Sequence, residues 1–165
     1  MKRVFNMIIV DESGSMSIIK KQALAGLNET IETVKKMQKV HPEMQQRISL
    51  LTFDSSHKKF KYDNVKADTA HLLSANDYNP GGCTPLYDAI GIAISKLNAQ
   101  TTDEDSVLVT IITDGEENSS EEYNLKMIKT LIDKMKKQGW TFTLIGTDNL
   151  DVEGMAGQMC IDNHL

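Results

Sequence analysis

Residues 4–10 form a nearly continuous apolar run, interrupted by Asn6 and bounded by Lys2-Arg3 and Asp11-Glu12. That is the pattern of a short strand buried on both faces. From Ser17 the period changes: Leu24, Leu27, Ile31, Val34 and Met37 recur at three- and four-residue steps. This spacing predicts a helix with one apolar stripe, ending before His41-Pro42. Residues 47–53 predict a second strand, and Asp54-Ser55-Ser56 a tight turn into residues 58–62. The lysines alternating with Phe60 and Tyr62 mark that third run as an exposed edge strand, antiparallel to the second. Residues 70–75 are weakly patterned and compatible with a short helix, and 76–83 read as loop. Pro85 opens a helix carrying Leu86, Ile90, Ile94 and Leu97 on one face. Residues 107–112 are the most β-branched run in the chain and predict a central strand. Ser119-x-x-Glu122 has the form of a capping box for a helix bearing Leu125, Ile128, Leu131 or Ile132, and Met135, which Gly139 ends. Residues 140–145 predict another strand, and 152–159 a last, weak helix.

Strands alternate with helices of crossover length. The expected fold class is therefore α/β, a three-layer α/β/α arrangement whose central sheet is mainly parallel with one antiparallel edge strand. The 165 residues suit one core, with no repeat or linker, so a single domain over 1–165 is expected. Residues 161–165 offer at most a very short final edge strand.

Composition removes classes more than it assigns one. Acidic residues number 23 against 18 basic, a net charge of −5, which argues against a nucleic-acid binder that relies on a broad basic face. Charged residues make up 25% and hydrophobic ones 40%, the balance of a folded domain. The N-terminal apolar run is short, contains Asn6, lacks a small-residue cleavage site and meets Asp11-Glu12, so it does not read as a leader. No stretch approaches the roughly 20 apolar residues that cross a bilayer. Cys83 and Cys160 are too few for a disulfide scaffold or a multi-cysteine zinc site. The chain reads as cytoplasmic, with reduced thiols and no membrane partner.

Chemistry is expected at the carboxyl ends of the strands, where crossovers diverge. After the first strand comes Asp11-Glu12-Ser13-Gly14-Ser15; before the third helix comes Gly81-Gly82-Cys83-Thr84-Pro85; after the central strand comes Thr113-Asp114-Gly115-Glu116-Glu117. Asp11, Asp114, Ser13, Ser15 and Thr84 together offer two carboxylates and three hydroxyls. An all-oxygen set suits one hard divalent cation, Mg²⁺ or Mn²⁺, with Ca²⁺ as a further choice. His41, His57, His71 and His164 are scattered and read as surface or structural residues.

With these motifs in their order, the sequence resembles a von Willebrand factor A domain of bacterial type. The match is to that family's metal-ion-dependent adhesion site, an Asp-x-Ser-x-Ser turn with a distant Thr and a distant Asp. Here they are Asp11, Ser13 and Ser15, then Thr84, then Asp114. The resemblance spans essentially the whole chain and implies a Rossmann-like fold. It implies that Ser13, Ser15 and Thr84 contact the ion while Asp11 and Asp114 hold it through water. Neutral hydroxyls leave most of the cation's charge uncompensated, so the ion favours a carboxylate from a partner. The implied function is a non-enzymatic, metal-dependent protein-binding module, monomeric by itself, whose protein partner contributes an acidic residue.

Each motif has a plainer reading as well. Ser13, Ser15 or Ser17 could cap the first helix, Thr84 could cap the helix that Pro85 opens, and Asp114-Gly115 could be an ordinary turn. Three unrelated caps would then have to mimic the signature in order. Glu116 and Glu117 read as a solvated acidic turn, Asp88 as a carboxylate favouring its helix dipole, and Cys83 as a spacer or buried thiol. The enzymatic alternative is a Mg²⁺-dependent haloacid-dehalogenase-like phosphatase with Asp11 as nucleophile, Thr84 on the phosphate and Asp114 on the metal. It fails at Ser13, where that family places a second Asp. Neither G-x-G-x-x-G after the first strand nor G-x-x-x-x-G-K-[ST] occurs, which weakens a nucleotide-binding reading.

Overall fold

Along the first strand the two faces alternate: Phe5, Met7 and Ile9 enter one hydrophobic cluster, Ile8 and Val10 another. A strand with both faces buried needs a layer on each side, and the computed structural model shows both. It describes residues 2–114, 117–146, 152–161 and 163–164. In chain order the elements are β1 (Lys2–Asp11), α1 (Lys20–Val40), β2 (Met44–Phe53), β3 (Lys58–Lys66), α2 (Leu86–Gln100), β4 (Ser106–Ile112), α3 (Leu125–Lys137), β5 (Thr141–Ile145), α4 (Val152–Gln158) and β6 (Asn163–His164). Among the described residues the strands form one sheet in the order β3-β2-β1-β4-β5-β6. Every pairing is parallel except β2 with β3, where Phe53 faces Lys58 and the register shifts twice. This is the expected α/β/α fold with one antiparallel edge.

The winding explains the layers. From β1 the chain moves outward to β2 and β3, then crosses back to β4, β5 and β6 on the other side. Crossovers of one hand that run in opposite directions place their helices on opposite faces. Accordingly Leu27, Ile31 and Val34 of α1 pack with Ile8, Val10, Ile48 and Leu50. Helices α2, α3 and α4 share the other cluster, with Ile90, Ile94, Ile128, Ile132 and Ala156 against Met7, Ile9, Val109 and Leu144. One helix therefore faces three. A cleft of about 590 Å³ remains beside α1, where Leu108 of β4 and Met37 of α1 are each 41% exposed.

Local chemistry moves several expected boundaries. Helix α1 starts at Lys20, later than expected, because residues 14–19 form a 3-10 turn. Residues 70–75 are not one helix; 3-10 turns cover Ala67–Thr69 and Ala75–Asp77 instead. The Ser119/Glu122 capping box does not form. Asp88 accepts the backbone N–H groups of Glu121, Glu122 and Tyr123 at 2.8, 3.0 and 2.8 Å, so the chain turns there and cannot begin a helix. Helix α3 begins at Leu125, capped by Asn124, whose Oδ1 accepts from Met127 N at 2.9 Å. It ends as expected: Gly139, at φ +95°, takes the left-handed position just past the last turn. The final edge strand is two residues long, pairing with Thr143 and Leu144 of β5.

Candidate functional site

The direction in which the chain winds across the sheet reverses between the parallel strands β1 and β4, and the candidate residues lie in the loops at the carboxyl ends of the strands there. Asp11 is the last residue of β1, one step past the Val10–Ile112 pairing with β4. That register sets it beside Thr113, whose Oγ1 donates to Asp11 Oδ2 at 2.8 Å. Asp11 Oδ1 accepts from Ser13 N at 2.8 Å, which closes the turn, and the buried Tyr78 hydroxyl donates to the Asp11 carbonyl. The Asp11 side chain has no solvent exposure. Burial pushes its pKa up to about 6; the bonds from Ser13 and Thr113 oppose that rise, and the neighbouring Asp114 adds to it. Burial, with Asp11, Glu12 and Asp114 nearby, likewise raises the Tyr78 phenol, so Tyr78 stays a neutral donor.

The serines do not cap helices. Ser13 precedes the 3-10 turn without a side-chain capping bond, α1 starts beyond both serines, and Ser13 Oγ lies 3.2 Å from Ser15 Oγ. Two hydroxyls therefore stand together beside a buried carboxylate.

Thr84 reaches the same region through two loop junctions. Gly81 N donates to Glu12 O and Gly14 N to Gly82 O, both at 2.9 Å, which fastens its loop to the Asp11–Ser15 turn. Gly82 has φ +76°, and a Cβ there would lie 2.8 Å from Ser55 Oγ, so glycine is required for two reasons. On the other side Thr84 N donates to Asn118 Oδ1 at 2.8 Å, and Asn118 N to Thr84 O at 3.0 Å. Thr84 is buried, and Pro85 occupies the N-cap position of α2. Asp114 lies two residues past β4, half-buried, close enough to act on Asp11.

Other acidic residues have structural duties. Glu117 is not a solvated turn residue: it accepts from the Tyr87 and Ser119 amides at 3.0 Å each, from the Ser120 amide at 3.2 Å and from the Ser120 hydroxyl. Asp88, in the first turn of α2, staples the 121–123 segment as described. Glu116 and Gly115 lie outside the described residues. Cys83 is an exposed free thiol, not a buried one.

Sequence reasoning overlooked the residues that brace the site. Thr113 precedes Asp114 in the chain, and its register beside Asp11 is the signal that identifies it. Tyr78 and Asn118 carry no local signal; their roles exist only once distant loops meet. Glu12 carries no such signal either, and His57, expected as surface or structural, is its partner: Glu12 Oε1 lies 3.0 Å from His57 Nε2, and Glu12 Oε2 accepts from Asn79 N at 2.7 Å.

The donor set fits a hard divalent cation. Two carboxylates act on each other, Asp11 is buried, and the adjacent side chains are hydroxyls. Among the described residues no group of three His, Cys, Asp or Glu side chains could hold a metal, so a zinc-type nitrogen and sulfur site is not formed. The cleft beside α1 contains none of the five residues.

The sequence model of the von Willebrand factor type A domain matches residues 7–164. The chain belongs to that family. Its members are protein-interaction modules, generally non-enzymatic and often dependent on a divalent metal. No curated protein matches the sequence. Solved structures resemble it at low identity. The SpRpn10 VWA domain is 18% identical with a TM-score of 0.64, covering 98% of this chain and 85% of that one. Manganese-loaded TRAP protein from Plasmodium vivax is 16% identical with a TM-score of 0.59, covering 95% and 62%. The PilB minor pilin from Streptococcus sanguinis is 12% identical with a TM-score of 0.62, covering 99% and 57%. The chain thus spans little more than half of that pilin. At these identities the likeness concerns the fold. No helix among the described residues is long and apolar enough to cross a membrane.

Proposed function

We propose that this von Willebrand factor A domain binds one divalent cation, Mg²⁺ or Mn²⁺, and through it an acidic residue of a protein partner. One observation carries the reading: a fully buried carboxylate, Asp11, under the charge of Asp114 and beside the paired hydroxyls of Ser13 and Ser15. Such an arrangement disfavours ionised Asp11 until a cation offsets it.

Ser13, Ser15 and Thr84 would hold the ion by their hydroxyls, and Asp11 and Asp114 through water. When bound, the ion supplies a positive charge and an open coordination position. The chain's own residues do the rest. Thr113 and the Ser13 amide orient Asp11, Tyr78 fixes its backbone, and Asn118 fixes that of Thr84. A partner carboxylate would be attracted only in the ion's presence, because without it the site offers an acid only neutral hydroxyls and the acidic Asp11 and Asp114. The manganese in the TRAP relative supports a divalent ion in this fold family. The function is binding, not catalysis; position 13 carries a hydroxyl where the phosphatase reading needs an acid, and no observation favours that reading. A cytoplasmic, monomeric module is consistent with two free cysteines, one of them exposed.

Isothermal titration with Mg²⁺ or Mn²⁺ tests the reading. We expect one site per chain, lost in Asp11→Ala and in Asp114→Ala; unchanged binding in both variants would defeat it.

A further inference from the structure

Beside the site, two buried carboxylates approach one imidazole from opposite sides. Glu12 Oε1 lies 3.0 Å from His57 Nε2, and Asp54 Oδ1 lies 3.0 Å from His57 Nδ1. The Nε2 contact with Glu12 has hydrogen-bond geometry and Asp54 lies against the Nδ1 edge, so the ring sits wedged between the two acids. Both acids have further donors. Glu12 accepts from Asn79 N at 2.7 Å, and Asp54 Oδ1 accepts from Ser56 N, Ser56 Oγ and His57 N at 2.7, 2.7 and 2.9 Å. Burial alone would raise Asp54, yet the Ser56 and His57 contacts together hold it below the ordinary carboxylate range.

The turn carrying His57 contributes none of the five candidate ligands, yet it touches both loops that carry four of them. Through Glu12 it meets the Asp11–Ser15 turn. Through Ser55, whose hydroxyl accepts from Cys83 N at 2.9 Å, it meets the loop that bears Thr84. Glu12 stands between Asp11 and Ser13, with its N–H donated to Phe53 O at 2.8 Å and its carbonyl accepting from Gly81 N at 2.9 Å. Without the ring, the buried Glu12 carboxylate would lose its partner at Oε1 and turn toward water, and its backbone is the hinge between two candidate ligands.

We propose that His57 is a positioning residue for the cation site: as a pin between Glu12 and Asp54 it holds the Asp11–Ser15 turn and the Gly82–Thr84 loop in one arrangement. The proposal rests on the cation reading above. Residues that orient ligands without touching the ion typically change metal affinity by about 10- to 100-fold.

The test compares wild type, His57→Ala, Glu12→Gln and the double variant, with His57→Gln in reserve should the alanine chain not fold. Mn²⁺ titration is read alongside amide hydrogen exchange of the metal-free chains. We expect His57→Ala to weaken Mn²⁺ binding by about 10-fold or more. Exchange should quicken at Asn79, Gly81, Gly14 and Cys83 while the β1 and β4 amides stay protected. Glu12→Gln removes the carboxylate that the ring holds, so in that background His57→Ala should cost markedly less affinity. Wild type that takes up no Mn²⁺ overturns the cation reading and this proposal with it. Wild type that binds Mn²⁺, with His57→Ala binding equally well or the two substitutions acting additively, overturns the proposal alone.

Discussion

Replacing Asp11 with Asn should make the metal-free protein more stable at neutral pH. The carboxylate is fully buried, and its pKa rises from the ordinary 3.8 to about 6, chiefly through burial. Between those values the folded chain holds a proton that the unfolded chain has released. Stability therefore falls as pH rises from 3.8 through about 6, and the full penalty stands above that. At about 1.36 kcal/mol per tenfold change in proton affinity, the penalty is about 3 kcal/mol, an upper figure. Asparagine keeps the local bonds: its oxygen still accepts from Ser13 N, and the Thr113 hydroxyl turns to accept from the new NH₂. For a chain of this size about 1 kcal/mol shifts Tm by about 2–4 °C, so Asp11→Asn should melt higher at pH 7.5 in chelator, by up to about 6–12 °C. The gap should shrink as pH falls toward 4. Adding Mg²⁺ at 100 times its Kd should raise the wild type by about 2.7 kcal/mol and leave Asp11→Asn unmoved. Thermal melts at pH 4, 5, 6 and 7.5, with and without Mg²⁺, measure all of this. A variant less stable than wild type by the same amount at every pH would refute the reasoning.

Two glycine substitutions separate site from scaffold. Gly82→Ala places a side chain at φ +76° and 2.8 Å from Ser55 Oγ, so the loop must move; Mn²⁺ affinity should fall by about 10-fold or more in a titration, with a loss of about 1 kcal/mol in urea melts. Gly91→Ala puts its Cβ 2.4 Å from the Tyr123 ring, whose backbone Asp88 holds in place, and should cost about 1–3 kcal/mol by the same melts while leaving Mn²⁺ affinity unchanged.

The layering was legible because period is physical. Residues 4–10 and 107–112 could not be amphipathic, so they had to be interior strands, and Leu27, Ile31 and Val34 recur as a helix stripe must. The lysines of β3 marked it as an edge. What failed were the places where a distant group overrode a local one. Ser119 and Glu122 spell a cap, but the Asp88 carboxylate, more than thirty residues earlier, takes the amides that would start the helix. Glu117 reads as solvated because its partners lie in the first turn of α2, thirty residues earlier, and in its own turn. At the site, the motif positions could be read one by one. Their braces could not, since Tyr78, Asn118 and His57 matter only after three loops have come together.

Water-proton relaxation of the Mn²⁺-loaded protein, titrated with acetate as a stand-in for an acidic side chain, tests the central claim most directly. The account predicts enhanced relaxation when Mn²⁺ binds, and a saturable fall as carboxylate replaces coordinated water. Asp114→Ala should show neither effect. Mn²⁺ that binds wild type and Asp114→Ala alike, or bound Mn²⁺ whose relaxation acetate does not alter, would contradict it.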